Sequence, residues 1–253
     1  MLVSGDDYNY AQYGDDWICG VSLSPRDIDL NSTKVIESDD NYWSIDVKDY
    51  GDSDTTFTAY IKENIYLKLN RTESGTLRKV KNDDTVIDSY DLKEIRFHTP
   101  SEHTIAGNRS DLEVQLYHTN AAGNSLILSV LYNSKDNTDY KMKFFSNIEG
   151  TLENEKETDK ANPIDVTGGY YKIKTFYNYV GTDTLPGCAS TEWVIFGEVI
   201  SLYKSQLEKI SEHVSGNYKN PSKWPDVGVT YYYADISFST IISIGLLSLF
   251  LVS

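Results

Sequence analysis

The 253-residue chain carries 38 acidic and 23 basic side chains, a formal net charge of −15, with no basic stripe along it. That balance argues against nucleic acid as a partner and disfavours docking on anionic headgroups or sulfated glycans. The length suits one large domain with a sizeable core, and no internal repeat or domain boundary interrupts residues 8–233.

Residues 1–16, ending in the run DDYNYAQYGDD, read as an extended amino-terminal arm, and residues 17–233 as one domain. The opening MLVSGDDYNY has neither a basic n-region nor an apolar h-region, so it does not read as a signal peptide. The polar, acidic segments 31–41, 49–56 and 151–163 read as loops. From Glu94 to His98 the apolar residues Ile95 and Phe97 alternate with Glu94, Arg96 and His98. From Leu112 to His118 the apolar residues Leu112, Val114 and Leu116 share a face with His118, and Glu113, Gln115 and Tyr117 share the other. Gly107-Asn108 between the two runs is a turn signal, so they read as strands brought back beside each other. The many tyrosines, as in TGGYYKIKTFYNYV (167–180), favour strands. The strongest helix is Lys204–Val214, with Leu207, Ile210 and Val214 at i, i+3 and i+7.

The stretch 94–118 gathers three of the four histidines and three glutamates, a composition that suggests a metal site. A zinc site on such strands wants two histidines at i and i+2 on one face and a third from the neighbouring strand. Here those places fall on Arg96, His98 and Gln115.

Four segments carry a resemblance to a known family. They are RFHTPSEHTIAG with LEVQLYH (96–118), WICGVSLSPRDIDL (17–30), YVGTDTLPGCASTEWVIF (179–196), and ISLYKSQLEKI with NYKNPSKW (200–224). In this order they resemble the α-class carbonic anhydrases over roughly residues 8 to 230. The resemblance implies a mostly β fold, a large central twisted, mainly antiparallel sheet with short peripheral helices. It places the three zinc-binding histidines of active members on Arg96, His98 and Gln115. Arginine is always protonated and glutamine is a poor zinc ligand, so a lone imidazole remains. The supporting residues persist: Glu102, which orients the catalytic threonine in active members, Thr184 at that threonine's position, and Glu113, which backs the third ligand. No histidine stands near Asn64-Ile65-Tyr66, where a proton shuttle is expected. His103 and His118 match packing and hydrogen-bonding positions, and His213 in the closing helix reads as a surface residue. A new metal site from His98, His103, Glu102 and Glu113 is the weaker alternative. The chain therefore resembles the acatalytic carbonic anhydrase-related members, with no cofactor expected. The alternative is a zinc-dependent carbonic anhydrase with an altered site. Buried at the base of the site, Arg96 needs a carboxylate, with Glu113 or Glu102 expected to hold it and Gln115 to add an acceptor.

The resemblance also places Cys19 and Cys188 where some members carry a disulfide, which would close a loop of about 170 residues and contribute roughly 4–5 kcal/mol in the chain-entropy model. It implies an oxidising compartment. The sequons at Asn31, Asn70 and Asn108 agree with the secretory pathway, and the mitochondrial intermembrane space is the alternative. Residues 234–253 read as a hydrophobic tail. The 18 residues from Ile236 to Ser253 carry no charge, just enough to span a bilayer. Either a short membrane anchor or a GPI-attachment signal is expected, although Tyr231-Tyr232-Tyr233 leaves almost none of the polar spacer of about 8–12 residues that a GPI signal wants. A protein partner or a larger membrane complex is expected as well.

Overall fold

The computed structural model describes residues 10–17, 21–37, 42–48, 50, 57–61, 65–69, 75–136, 141–154, 166, 172–185, 188–223 and 228–233. Its strands in chain order are β1 Asp27–Ile28, β2 Lys34–Ile36, β3 Trp43–Lys48, β4 Phe57–Ile61, β5 Ile65–Leu69, β6 Thr76–Lys81, β7 Val86–His98 and β8 Thr104–Ile105. These are followed by β9 Asn108–Arg109, β10 Leu112–Thr119 and β11 Ser125–Lys135, then the helix α1 Lys143–Asn154. The chain continues through β12 Lys172–Ile173, β13 Phe176–Thr182 and β14 Ser190–Tyr203 to the helix α2 Lys204–Ser211 and β15 Thr230–Tyr232.

Ten strands run side by side in one large sheet, in the order β12-β3-β6-β7-β10-β11-β14-β13-β15-β2, with the β4–β5 hairpin joined to it through β7. Its pairings are antiparallel except β11 with β14 and β15 with β2. The fold is thus mostly β with two short helices among the described residues, as the resemblance implies. A second sheet, β1-β8-β9, has three short strands.

The middle of the large sheet is covered on both faces, and β11 shows why. Seven successive residues, Leu126 to Tyr132, are buried, the near-continuous burial expected of a strand with partners on both sides and cover on both faces. Leu126, Leu128, Val130 and Tyr132 join the larger core with Phe97, Phe144 and Phe145, whereas Ile127 and Leu131 join a smaller core with Trp193, Ile195 and Tyr179. The smaller core lies on the face that carries the site.

Four expectations need correction. The described part of the arm is not extended: residues 10–16 are turns, and Tyr10 is buried with its ring edge-on to Trp17. The segment 31–41 contains β2, which adds to the far edge of the sheet beside β15. The segment 151–163 begins with the end of α1, whose Phe144, Ile148 and Leu152 recur four apart and are all buried. The closing helix ends at Ser211, although Val214 still bonds back to Ile210 and stays buried. Residues 234–253, Cys19 and Asn70 lie outside the described residues, as does most of 49–56. Among the described residues no helix is long and apolar enough to cross a membrane.

Candidate functional site

β7 and β10 are antiparallel neighbours in register, with Gln115 opposite Arg96, Glu113 opposite His98 and Tyr117 opposite Glu94. Residues directly opposite on antiparallel strands project to the same face. Alternation along each strand therefore brings Glu94, Arg96, His98, Glu113, Gln115 and Tyr117 together on one face, as the sequence predicts. His118, next to Tyr117, falls on the opposite face with Leu112, Val114 and Leu116, and the register with β7 shifts between the two. His118 accepts from the Tyr50 hydroxyl, in the larger core, and donates from Nδ1 to the Leu126 carbonyl at 3.3 Å. Complete burial lowers its pKa from 6.5 to about 3.

The loop after β7 is fastened by Asn217. Its side-chain oxygen accepts from Thr99 N at 2.9 Å, its amide donates to the Phe97 carbonyl at 2.8 Å, and its own carbonyl accepts from His98 Nδ1 at 2.7 Å. His98 Nε2 thus faces the site. It is buried, has no hydrogen-bond partner and lies 3.7 Å from Glu102 Oε2.

Glu113 is the most heavily bonded carboxylate of the site. It accepts from the backbone of Glu102 and His103 at 2.9 and 2.8 Å, from His103 Nδ1 at 2.8 Å, from Gln115 Nε2 at 3.0 Å and from Ser129 Oγ at 2.8 Å. Burial by itself would raise its pKa, but the adjoining His103 and these donors hold it far below the usual carboxylate range. Behind it, His103 Nε2 meets the Tyr179 hydroxyl at 2.7 Å, and Tyr179 reaches Ser24 at 2.9 Å. The other second carboxylate, Glu102, accepts from Gln115 Nε2 at 2.9 Å and from Lys219 N at 3.0 Å. With both amide hydrogens of Gln115 engaged, its oxygen is left to accept from Thr184 Oγ1 at 3.5 Å.

Arg96 is held differently from the expectation. Neither Glu113 nor Glu102 pairs with it. Asp183 takes it in a two-pronged bond, Nη1 to Oδ1 at 2.5 Å and Nη2 to Oδ2 at 3.2 Å, and Glu94 takes Nε at 2.6 Å. Its Cζ sits 4.9 Å over the Tyr117 ring. The physical reason is competition: Glu113 and Glu102 are already satisfied by backbone, imidazole and amide donors, whereas Asp183 and Glu94 face the guanidinium. Asp183 is placed by the end of β13, where its N–H bonds the Ala189 carbonyl and its Oδ1 accepts from Leu185 N. Sequence reading missed Asp183, which no pattern marks. It could have found Glu94, which shares a face with Arg96 two residues away.

The side chains do not fit a zinc ion. One of the three ligand places holds a guanidinium committed to two carboxylates, and another an amide whose donors are committed to two more. Among the described residues no group of three or more His, Cys, Asp or Glu is arranged to hold a metal, the alternative set of His98, His103, Glu102 and Glu113 included. Of the remaining candidates, Asn31 and Asn108 are exposed. Cys188 is exposed just before β14 and is not free.

The sequence matches the family model for eukaryotic-type carbonic anhydrase over residues 18–225. The chain belongs to that family. It is 23% identical over 207 residues to alpha carbonic anhydrase 4 of Arabidopsis thaliana, covering 81% of this chain and 72% of that one. It is also 23% identical over 223 residues to dioscorin dioA3 of Dioscorea japonica, covering 85% and 76%. Among solved structures, a dioscorin complexed with ascorbate superposes with a TM-score of 0.71 at 22% identity, over 92% of this chain and all of that one.

Proposed function

We propose that this chain is a catalytically silent carbonic anhydrase domain that serves as a binding or structural module, attached to a membrane through residues 234–253. The observation that carries the reading is the buried Arg96–Asp183 pair, reinforced by Glu94, at a place where a hydratase of this family needs a neutral imidazole. Without zinc no bound water reaches a pKa near neutrality, and carbon dioxide hydration has no nucleophile. Arg96, His98, Gln115 and Thr184 are all buried, so a partner would meet the outer surface rather than these atoms. One guanidinium set against two carboxylates also disfavours an anionic small molecule there. A protein partner, or a place as one subunit of a larger complex, is the use we favour. A bridge between Cys19 and Cys188 and glycans at Asn31, Asn70 or Asn108 belong to the same reading, which puts the domain in an oxidising compartment.

A zinc-dependent carbonic anhydrase with an altered site is the second reading, and the unpartnered His98 Nε2 beside the retained Glu102, Glu113 and Thr184 favours it. Stopped-flow carbon dioxide hydration in zinc-supplemented buffer, with and without chelator, separates the two. The module predicts the buffer rate in both arms, and a chelator-sensitive acceleration would reinstate the enzyme.

A further inference from the structure

We propose that the sheet edge made by β15 and β2 is a bilayer-contact surface, lying in the interfacial layer of the membrane that residues 236–253 enter. The inference rests on attachment through that tail and adds which side of the domain faces the lipid.

In the sheet, Tyr177 stands opposite Tyr231 and Tyr231 opposite Val35, a row that crosses β13, β15 and β2 to the outer edge. The Tyr177 and Tyr231 rings are 4.7 Å apart, and Tyr233, two residues on, stacks on Tyr231 at 5.8 Å. Val35 is 54% exposed, as is Leu30 in the turn that leads to β2. Lys34 and Glu37 flank Val35 and Ile36, and the long Lys34 stem can keep its charge in water. Tyr177 is buried and backs the row, whereas Tyr231 and Tyr233 are partly exposed beside the aliphatic Val35. That arrangement matches a membrane interface, where one end of the ring is apolar and the other wet.

The chain's own continuity supplies the lipid. Only Ala234 and the charged Asp235 separate Tyr233 from Ile236, where the uncharged run begins. Three residues reach at most about 10 Å even when fully extended. The polar layer on each side of the hydrocarbon is only about 5–8 Å deep. A tail that enters the hydrocarbon at Ile236 therefore draws Tyr233 and the adjoining edge into or against that layer. With a formal net charge of −15 on the chain, the contact is with neutral headgroups and acyl boundary rather than with anionic lipid.

The test uses the full chain in phosphatidylcholine vesicles, with a benzophenone amino acid replacing Val35, Tyr233 or, as control, Val86. Val86 is also exposed but lies at the start of β7, six strands from β2. Lipid adducts several-fold above the control are expected at 35 and 233, and fewer adducts when phosphatidylserine is added. Chains that float with the vesicles but label equally at all three positions, or not at 35 and 233, would overturn the orientation and leave attachment standing. Stronger labelling with phosphatidylserine would overturn the neutral-interface claim. Chains that do not float, or that are recovered cut before Ile236, would remove attachment and orientation together.

Discussion

Replacing Arg96 with alanine is the sharpest perturbation of the site. The Arg96 and Asp183 side chains are 6% and 8% exposed and that of Glu94 17%, so little solvent is available to either carboxylate once the guanidinium is gone. Removing one partner of a buried pair leaves an uncompensated charge, and the expected loss is about 3–5 kcal/mol. A chain of this size shifts by roughly 2–4 °C per kcal/mol, so a fall in melting temperature on the order of 10 °C should accompany it. Urea titration followed by tryptophan fluorescence gives the free energy, with the slope checked so that the comparison is between like states. The same argument predicts strong coupling: Arg96→Met combined with Asp183→Leu should cost much less than the sum of the two single changes, because apolar replacement of both partners leaves less charge buried alone. A loss below about 1 kcal/mol for Arg96→Ala, or additive costs in the cycle, would refute the claim that this pair holds the site together.

Stability should fall with acid from an unusually high pH. His118 is neutral when folded, with a pKa near 3 against its ordinary 6.5, so its contribution is complete above 6.5 and is lost as the pH drops toward 3. Glu113, held below its ordinary 4.5, adds a second loss under that value, and urea midpoints between pH 7 and 4 should decline throughout. Arg96→His with Gln115→His should acquire a zinc ion, since His98 and Glu113 are in place and the metal's charge would replace the lost guanidinium opposite Asp183 and Glu94. Adding zinc should raise the melting temperature of that variant and leave the unmodified protein unchanged. Gly181→Ala should destabilise by about 1–3 kcal/mol in the same urea titration, because a Cβ there would stand 2.3 Å from Ser24 Oγ and 2.6 Å from the Tyr179 ring.

What was legible in the sequence followed from periodicity and position. Alternation in 94–98 and 112–118 placed six side chains on one face, because a strand leaves no freedom about which neighbours share a side. The ligand places could be assigned because the residues around them keep their spacing. The partner of Arg96 was not legible, since Asp183 arrives from 87 residues away, and the choice among four nearby carboxylates depends on which are already satisfied. Tyr10 was misread for a similar reason. A polar, Asp-rich context looks extended until Trp17 and the His98 ring, 5.1 and 6.4 Å away, give its ring a place to pack. α1 could have been found from Phe144, Ile148 and Leu152, but Gly150 and the polar residues between them weaken the stripe.

Zinc stoichiometry of the unmodified chain tests the central claim most directly. Protein produced with zinc in the medium, purified without chelator and dialysed against metal-free buffer, should hold far less than one zinc per chain by elemental analysis and native mass spectrometry. It should also take up none in competition with a chromophoric chelator. One zinc per chain, retained through dialysis, would contradict the reading of Arg96 as the cation of this site.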